Sequence, residues 1–580
     1  VLDECFRPGG AWPRGIGEHV IDPTLAWFMR ARASDANERW TVTYWAATKT
    51  WLLYEGGCYR EIADEHLASL VRDYLAPFFT KPKKGAPSPC AITGRAVSDV
   101  LEAMKVETTL LESVLPAWAP ATFDAEGKPL WHTVRRSPVS SGPSVVATIG
   151  GLIEVEQLHR RRLVVQPLTP RYVAMGVLPH RLPIDEVQAA LDADPHGEDR
   201  LIPLAQKYAP TFIKSVVEQS ENDDLWHTGV QRFGGNLLTD DMRYGTAALF
   251  LGVSGAGKGM MVEGYRTCHH PSMYAVASFG SMTNNFAAEG WIGKSWLFMD
   301  ECQAGRWDDK QGTSSRLKSI IVGEPIPVDM KHKKGISSFQ HKLRVVMTSD
   351  RMPEFIDPAA SMRRRLAVFP VRKKYSGAED KSIRHRIATE GMGILIWSLG
   401  GLIDLEKAGF IGMPDAGKVA LHRLARNSSR PFAFLEDCCV QDPTSAVDAD
   451  LLDEVYGRWC RRQRCETPSV DKIFEGVAAV VDGLELLDLG EWMRSVRMER
   501  PPTLQVADRE GRRRKVYSGV RLKLRADDGV GEGSALVVER MLAWRYLEER
   551  GAGRWEMDTR GLAGMDIEAE EKTLEDAAPY

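Results

Sequence analysis

The stretch from Ala247 to Asp300 limits what this chain can fold into more than any other. A short apolar run, Ala248-Leu249-Phe250-Leu251, feeds Gly252-Val253-Ser254-Gly255-Ala256-Gly257-Lys258-Gly259 and then a helix-compatible segment from Met260 to Arg266. A strand that turns through glycines into a helix can aim successive backbone N–H groups at one anion, and phosphate is the anion that such a cradle fits. Lys258 adds a point charge at the same place. A second apolar run, Trp296-Leu297-Phe298-Met299, ends in Asp300-Glu301. A carboxylate at the end of a buried strand beside such a loop can hold Mg²⁺ through water, and a second one can polarise an attacking water. The pattern therefore implies nucleotide hydrolysis. One position departs from it: Gly259 stands where such loops offer a Ser or Thr hydroxyl to the metal. Either water takes that coordination place, or the metal is bound more weakly.

The chain downstream of the acid pair reads as more of the same core. Arg316 to Ile321 suits a helix, Gly323-Glu324-Pro325 a turn, and Ile326 to Met330 a strand running into Lys331-His332-Lys333-Lys334-Gly335. A hairpin tipped with three lysines and a histidine is a compact cationic finger, suited to gripping phosphates without reading sequence. The next strand, Leu343 to Thr348, ends in Ser349-Asp350. A polar side chain there can sense the γ-phosphate or orient the water, and Asp350 is the better candidate; a simple turn role before Pro353 is the alternative. Arg363-Arg364-Arg365 then precede the apolar Leu366-Ala367-Val368-Phe369. Three adjacent arginines before a buried strand cannot all pair internally, so one is expected to project toward a phosphate held by a neighbouring subunit.

Composition narrows the setting. With 75 basic against 79 acidic residues the net charge is −4, so any nucleic-acid surface must be local. The nine cysteines make no zinc-ligand pattern and read as reduced structural thiols. No apolar run is long enough to span a bilayer and the first residues carry no signal-peptide pattern, so a cytoplasmic protein is expected. At 580 residues, about three or four domains are expected.

Before the core, Trp51 to Tyr59 reads as two short strands around Gly56-Gly57, and Ala63 to Phe78 as a helix. Thr80 to Pro89 reads as a linker, and Ile92 to Leu115 as mainly helical. Ile149 to Glu154 followed by His159 to Leu163 looks like a hairpin with a basic face. Asp185 to Phe233 reads as helices, with Trp226 and Phe233 as packing residues rather than base-stacking ones. The acid pairs Asp192/Asp194 and Asp448/Asp450 sit in polar, loop-like surroundings and lack the context of a polymerase site. After the core, Ile383 to Lys407 looks helical, as do Leu451 to Arg461, Val470 to Val480 and Val537 to Glu549. Lys515 to Leu524 is strand-like. The acidic end, from Asp566, has no means of building a core.

The order of these features, Walker A loop, Asp-Glu, lysine-bearing hairpin, polar strand end and paired arginines, resembles that of the superfamily 3 (AAA+) helicases. Within them it is similar to the phage and plasmid primase-helicases of the satellite-phage and poxvirus type. Trp51 to Tyr59, Gly151 to Pro170 and Val230 to Gly234 are similar to the segments before that group's ATPase, and Val455 to Cys460 and Arg513 to Val520 to its winged-helix region. The resemblance implies an α/β chain: an AAA+ P-loop ATPase core with a parallel sheet, after a mixed α/β N-terminal region and before a winged-helix-like C-terminal domain. The divisions would be 1–79 (N-terminal α/β unit), 80–235 (mixed α/β segment leading into the ATPase), 236–425 (helicase core), 426–527 (winged-helix-like) and 528–580 (helix and acidic tail).

It also implies ATP and Mg²⁺ as cofactors and 3′ to 5′ unwinding of single-stranded and forked DNA by a homo-oligomer, a hexamer, in replication of a phage, plasmid or other mobile element. Gly252 to Gly259 would bind phosphates, Asp300 the metal, and Glu301 would activate water. Lys331, His332 and Lys333 would grip DNA, and Arg364, or else Arg365, would be the arginine finger. Asp350 stands where the family usually has Asn, which could slow hydrolysis or partly serve as a base. Priming, if needed, would fall to a lost N-terminal region or to a separate primase or polymerase. A rival reading is a nucleotide-stabilised scaffold that loads onto DNA with weak hydrolysis and recruits replication proteins. An ATPase acting on protein would instead be expected to carry aromatics at the hairpin tip.

Overall fold

The computed structural model describes residues 42–75, 79–80, 88–89, 92–110, 114–118, 142–221, 223–302, 309–331, 335–353, 355, 362–373, 382–428, 430–462, 503–507, 513–522, 543–549 and 552–558. The chain divides into two compact units, Val1–Pro353 with Arg365–Gly417, and Glu354–Arg364 with Lys418–Tyr580.

The first unit is built on a five-stranded parallel sheet. Its strands are β1 (Ala247–Leu251), β2 (Tyr274–Ala277), β3 (Trp296–Met299), β4 (Arg344–Ser349) and β5 (Leu366–Pro370), in the order β2-β3-β4-β1-β5. Every pairing in it is parallel. Such sheets are covered on both faces, and the three central strands read accordingly as nearly continuous apolar runs. All six residues of β4 are buried, whereas Val276 on the edge strand β2 is 60% exposed.

Five helices matter to the site: α1 (Pro210–Ser220), α2 (Asp224–Asn236), α3 (Lys258–Cys268), α4 (Lys310–Ile321) and α5 (Gly391–Ala408). The helix α5 is apolar nearly all round, which fits a helix buried within a large core. It crosses α2 where both carry glycine pairs. A Cβ on Gly235 would lie 2.2 Å from the Leu402 nitrogen, and one on Gly401 would lie 2.0 Å from the Gln231 carbonyl oxygen. The bare backbones let Trp397 sink fully between Phe212 and His227. Trp226 and Phe233 are buried in the same core, as packing residues.

Two buried histidines make this unit acid-sensitive. Burial holds His227 and His341 down to about 4. The Trp397 indole N–H donates to the His227 Nε2 at 3.4 Å, which requires the neutral ring. An unfolded histidine charges near 6.5, so between about 6.5 and 4 the unfolded chain binds more protons than the folded one. Their contribution is therefore fully present above about pH 6.5 and lost as pH falls toward 4. Thermal unfolding is expected to show a lower midpoint at about pH 4.5 than at about pH 7.5, and His227→Gln should shrink that difference.

The N-terminal part has a small core of its own. Val42–Trp45, Thr50–Glu55 and Cys58–Ile62 form antiparallel strands, the latter two joined at Gly56 and Gly57, whose positive φ values of 62° and 91° suit glycine. Helices Asp64–Leu75 and Gly94–Thr108 cover them through Leu67, Val71, Val97 and Met104. Between the short strands Phe79–Thr80 and Ser88–Pro89, the expected linker lies outside the described residues.

Two expectations are corrected here. The hairpin near residue 150 is Val145–Thr148 with Gly151–Glu154, and the basic stretch after it is not a strand. Val155–His159 forms a short helix because Val155 and Leu158, at i and i+3, are both drawn into the core. Nor does Asp192 lie in a loop, whereas Asp194 does begin one. Asp192 belongs to helix Ile184–Ala193, and Asp194 at its end accepts the N–H groups of Gly197 and Glu198 at 2.9 Å.

In the second unit, Arg430–Cys438 and Ala449–Arg462 are helices whose Phe434, Tyr456 and Trp459 rings meet. The second acid pair straddles a junction, with Asp448 ending strand Cys439–Asp448 and Asp450 inside the helix that follows. An antiparallel sheet runs in the order Thr503–Ala507, Arg513–Leu522, Cys439–Asp448, Ala543–Glu549, Ala552–Asp558. Its fourth strand overturns the helix expected over Val537 to Glu549. Trp544 and Tyr546 favour an extended strand, and Ala543–Glu549 pairs along its whole length with Ala552–Asp558. The segments Val470 to Val480 and Asp566 onward lie outside the described residues.

Candidate active site

Strand register decides which side chains meet. Leu251 at the end of β1 pairs with Ser349 of β4, and Met299 at the end of β3 pairs with Met347 of the same strand. One residue further on, Gly252 comes abreast of Asp350, and Asp300 abreast of Thr348. Three adjacent strands thus deliver the glycine loop, the acid pair and the polar strand end to one carboxyl edge of the sheet, where open α/β folds bind ligands.

The loop itself is set by backbone constraints. Gly255 and Gly257 have φ of 78° and 99°, a region that other residues enter at a cost, and Gly257 caps the N-terminus of α3. A Cβ on Gly252 would lie 2.1 Å from the Val371 carbonyl oxygen, so only glycine lets β1 leave the sheet beside β5. Gln219 at the end of α1 donates to the Ala256 carbonyl at 2.8 Å and fixes the loop from behind. The buried Ala256 packs inward, while Val253, Ser254 and Gly255 are open to solvent or partly so.

The Lys258 ammonium turns back into this frame. It donates to the carbonyls of Gly252 and Val253, the latter at 3.1 Å, and pairs with the Asp350 carboxylate. On β3, the Asp300 carboxylate accepts the Thr348 hydroxyl and, at 3.1 Å, the Glu301 backbone N–H. Glu301 itself has φ of 43° and an exposed side chain, so the chain leaves β3 in a left-handed turn that parts the two carboxylates. Burial pushes the adjacent Cys302 thiol up to about 12, and it serves as packing rather than as a nucleophile. Ser349 points its hydroxyl at the Arg351 carbonyl, leaving Asp350 as the polar group facing the loop.

The donor set fits a Mg²⁺ ion that takes most of its ligands from phosphate and water. Asp300 is the carboxylate that would hold it, positioned by Thr348, and Gly259 brings no hydroxyl. Among the described residues no group of three or more His, Cys, Asp or Glu forms a dedicated cage.

Other candidate residues are not brought to this cluster by any described contact. Lys331 is exposed at the end of Ile326–Val328, which pairs with Ile336–Phe339 as the expected hairpin, and its backbone N–H lies 3.4 Å from Glu289 Oε2. His332 and Lys333 lie outside the described residues. Arg364 is exposed and Arg365 half-buried in a 3₁₀ turn, Arg363–Arg365, that leads into β5. Thr348 and Gln219 escaped the sequence reading. Each becomes visible only once strand order and helix packing are known.

The geometry yields a prediction at Asp350. Its carboxylate competes with phosphate for the Lys258 ammonium, so Asp350→Asn is expected to tighten ATP binding by up to about fivefold, the worth of about 1 kcal/mol for one ion pair near the surface. Nucleotide titration by fluorescence anisotropy measures it; unchanged or weaker binding would show that the pair does not oppose phosphate.

Comparison with known proteins adds little at this level of detail. Residues 250–365 match DUF5906, a family of unknown function, and this stretch runs from the end of β1 through the Arg363–Arg365 turn. Among solved structures, an apo structure of the NrS-1 C-terminal region is similar at 12% sequence identity and a TM-score of 0.42, over 82% of this chain and 96% of that one. A second apo structure of that region gives the same identity and score over 82% and 95%. No curated protein matches the chain. No helix among the described residues is long and apolar enough to cross a membrane.

Proposed function

We propose that this chain is an ATP hydrolase of the AAA+ superfamily 3 type: a ring-forming DNA helicase that unwinds forked DNA, 3′ to 5′, during replication of a phage, plasmid or other mobile element. The observation that carries the reading is the meeting of Lys258, Asp350, Thr348 and Asp300 at one edge of a parallel sheet, next to a glycine loop that opens a helix. In the cycle this supports, the loop N–H groups and Lys258 bind the phosphates of ATP, and Asp300 would hold Mg²⁺, which would supply charge neutralisation at the phosphates. Glu301 takes the proton of the attacking water, and Arg364 or Arg365 serves a neighbouring subunit's site. Lys331, His332 and Lys333 on the hairpin carry the step to single-stranded DNA within a homo-oligomer, a hexamer in this reading. A winged-helix-like C-terminal domain and a separate primase or polymerase complete the assembly, in the cytoplasm of a bacterial host.

The engagement of Lys258 by Asp350 favours a second reading, a nucleotide-stabilised scaffold that loads onto DNA and hydrolyses ATP weakly. Strand displacement separates the two. With ATP, the helicase reading expects release of the labelled strand from a fork with a 3′ tail, and little from one with only a 5′ tail. DNA binding without ATP-dependent release would leave the scaffold.

A further inference from the structure

Gly259 is the anomaly of the phosphate loop, and the structure gives it a neighbour. It lies in the first turn of α3, directly after Lys258. A Cβ on Gly259 would lie 2.8 Å from Arg384 Nη2 and 3.7 Å from its Cζ. The guanidinium therefore rests on the bare Cα at the position where other loops of this kind place a hydroxyl.

The segment that carries Arg384 is held in place by its surroundings. Arg384 belongs to the short helix Ile383–Ile387, whose Ile387 is fully buried. Just beyond, the Glu390 carboxylate accepts the N–H groups of Thr211 and Phe212 at 3.0 and 2.8 Å, which ties this segment to the start of α1. The same helix grips the loop through Gln219 and packs Phe212 where Gly264 of α3 leaves room. The loop and Arg384 thus share one scaffold.

Among the described residues the Arg384 charge is uncompensated. The N-terminus of a helix carries the positive end of its dipole, so a cation beside it is unfavourable on its own. Lys258 already stands in the same turn and spends its charge on Asp350 and loop carbonyls. The Arg384 side chain is exposed and makes no hydrogen bond or ion pair among the described residues. A guanidinium beside a helix N-terminus, with Lys258 in the same turn, is stabilised by a polyanion, and a guanidinium meets phosphate oxygens in a bidentate fork.

Resting on the nucleotide reading above, we infer that Arg384 binds the β- and γ-phosphates of a nucleoside triphosphate across Gly259, and so replaces with a side-chain cation part of the charge that a hydroxyl-anchored Mg²⁺ supplies elsewhere. Triphosphate binding then depends weakly on Mg²⁺, and Arg384 favours triphosphate over diphosphate. Asp300 would remain the carboxylate that holds the metal.

The test is equilibrium binding of ATPγS and of ADP, each with Mg²⁺ and with EDTA, to the full chain and to Arg384→Ala, Arg384→Lys and Gly259→Ser/Arg384→Ala. For the wild type, removing Mg²⁺ is expected to weaken ATPγS less than about tenfold. Arg384→Ala should weaken ATPγS by about tenfold or more, the worth of a charge-assisted hydrogen bond, with a smaller effect on ADP. Arg384→Lys should recover part of the loss, and the double variant should recover binding only with Mg²⁺. A surface position such as this should leave the melting temperature near that of the wild type. If wild type binds ATPγS and Arg384→Ala binds it equally well in both buffers, the assignment of Arg384 is overturned and the nucleotide site stands. If wild type binds neither nucleotide, both fall together.

Discussion

Lys258→Ala is expected to reduce ATP hydrolysis by about a thousandfold and to weaken triphosphate binding by one to two orders of magnitude. The side chain is only 12% exposed, and two loop carbonyls and Asp350 aim its ammonium at the mouth of the glycine loop. A charge-assisted hydrogen bond to phosphate contributes about 1.5–3 kcal/mol to binding. The same ammonium opposes charge that builds on the transferred phosphoryl group, where a pre-positioned cation is worth more than in the ground state. Folding should survive, because the partner left behind, Asp350, is 38% exposed and can be hydrated. Coupled phosphate-release assays and nucleotide titration read the two effects separately. Hydrolysis within tenfold of wild type would place the phosphates somewhere other than this loop.

Glu301→Gln is expected to separate the two readouts: hydrolysis falls by at least about a hundredfold while ATP stays bound. Asp300 and Glu301 are adjacent in sequence but placed differently. Asp300 is fixed by the Thr348 hydroxyl and a backbone N–H, which suits a carboxylate that holds a metal through water. Glu301, thrown outward by its left-handed backbone, makes no such bonds among the described residues and is left to take a proton. A general base contributes about a hundred- to ten-thousandfold, and the amide of glutamine cannot serve as one. The variant should therefore trap unhydrolysed ATP, detectable by chromatography of nucleotide released on denaturation. Loss of binding in parallel with hydrolysis would assign Glu301 to metal or phosphate instead, and undiminished turnover would remove it from the chemistry.

The glycine loop, the acid pair and Asp350 were legible because each is local. The turn needs glycine within a few residues of an apolar strand, and that pattern survives in one dimension. Thr348 was not legible. It sits inside an apolar strand, and nothing about Val-Val-Met-Thr-Ser tells which neighbouring strand it will face until the register of Met299 with Met347 is known. Arg384 was hidden for the same reason, since only the packing of Ile383–Ile387 beside α1 and α3 brings it to Gly259. Gly259 itself did carry a signal, as a glycine in a helical turn where a hydroxyl was expected. The sequence reading left a choice between water and a weaker metal site, and the neighbouring guanidinium adds a third possibility. Periodicity failed where two structures compete for a short segment. Ala543–Glu549 has enough alanine, leucine and glutamate for a helix, yet its aromatic residues and its pairing partner draw it into a sheet. Val155–His159 went the other way, with core contacts at i and i+3 overriding a strand-like context.

Steady-state ATP hydrolysis with and without single-stranded DNA, on the wild type and on the Lys331→Ala/His332→Ala variant, tests the central claim most directly. The account predicts hydrolysis that DNA stimulates in the wild type, with the stimulation lost and basal turnover kept in the variant. An absence of hydrolysis in both, with DNA still bound, would contradict it.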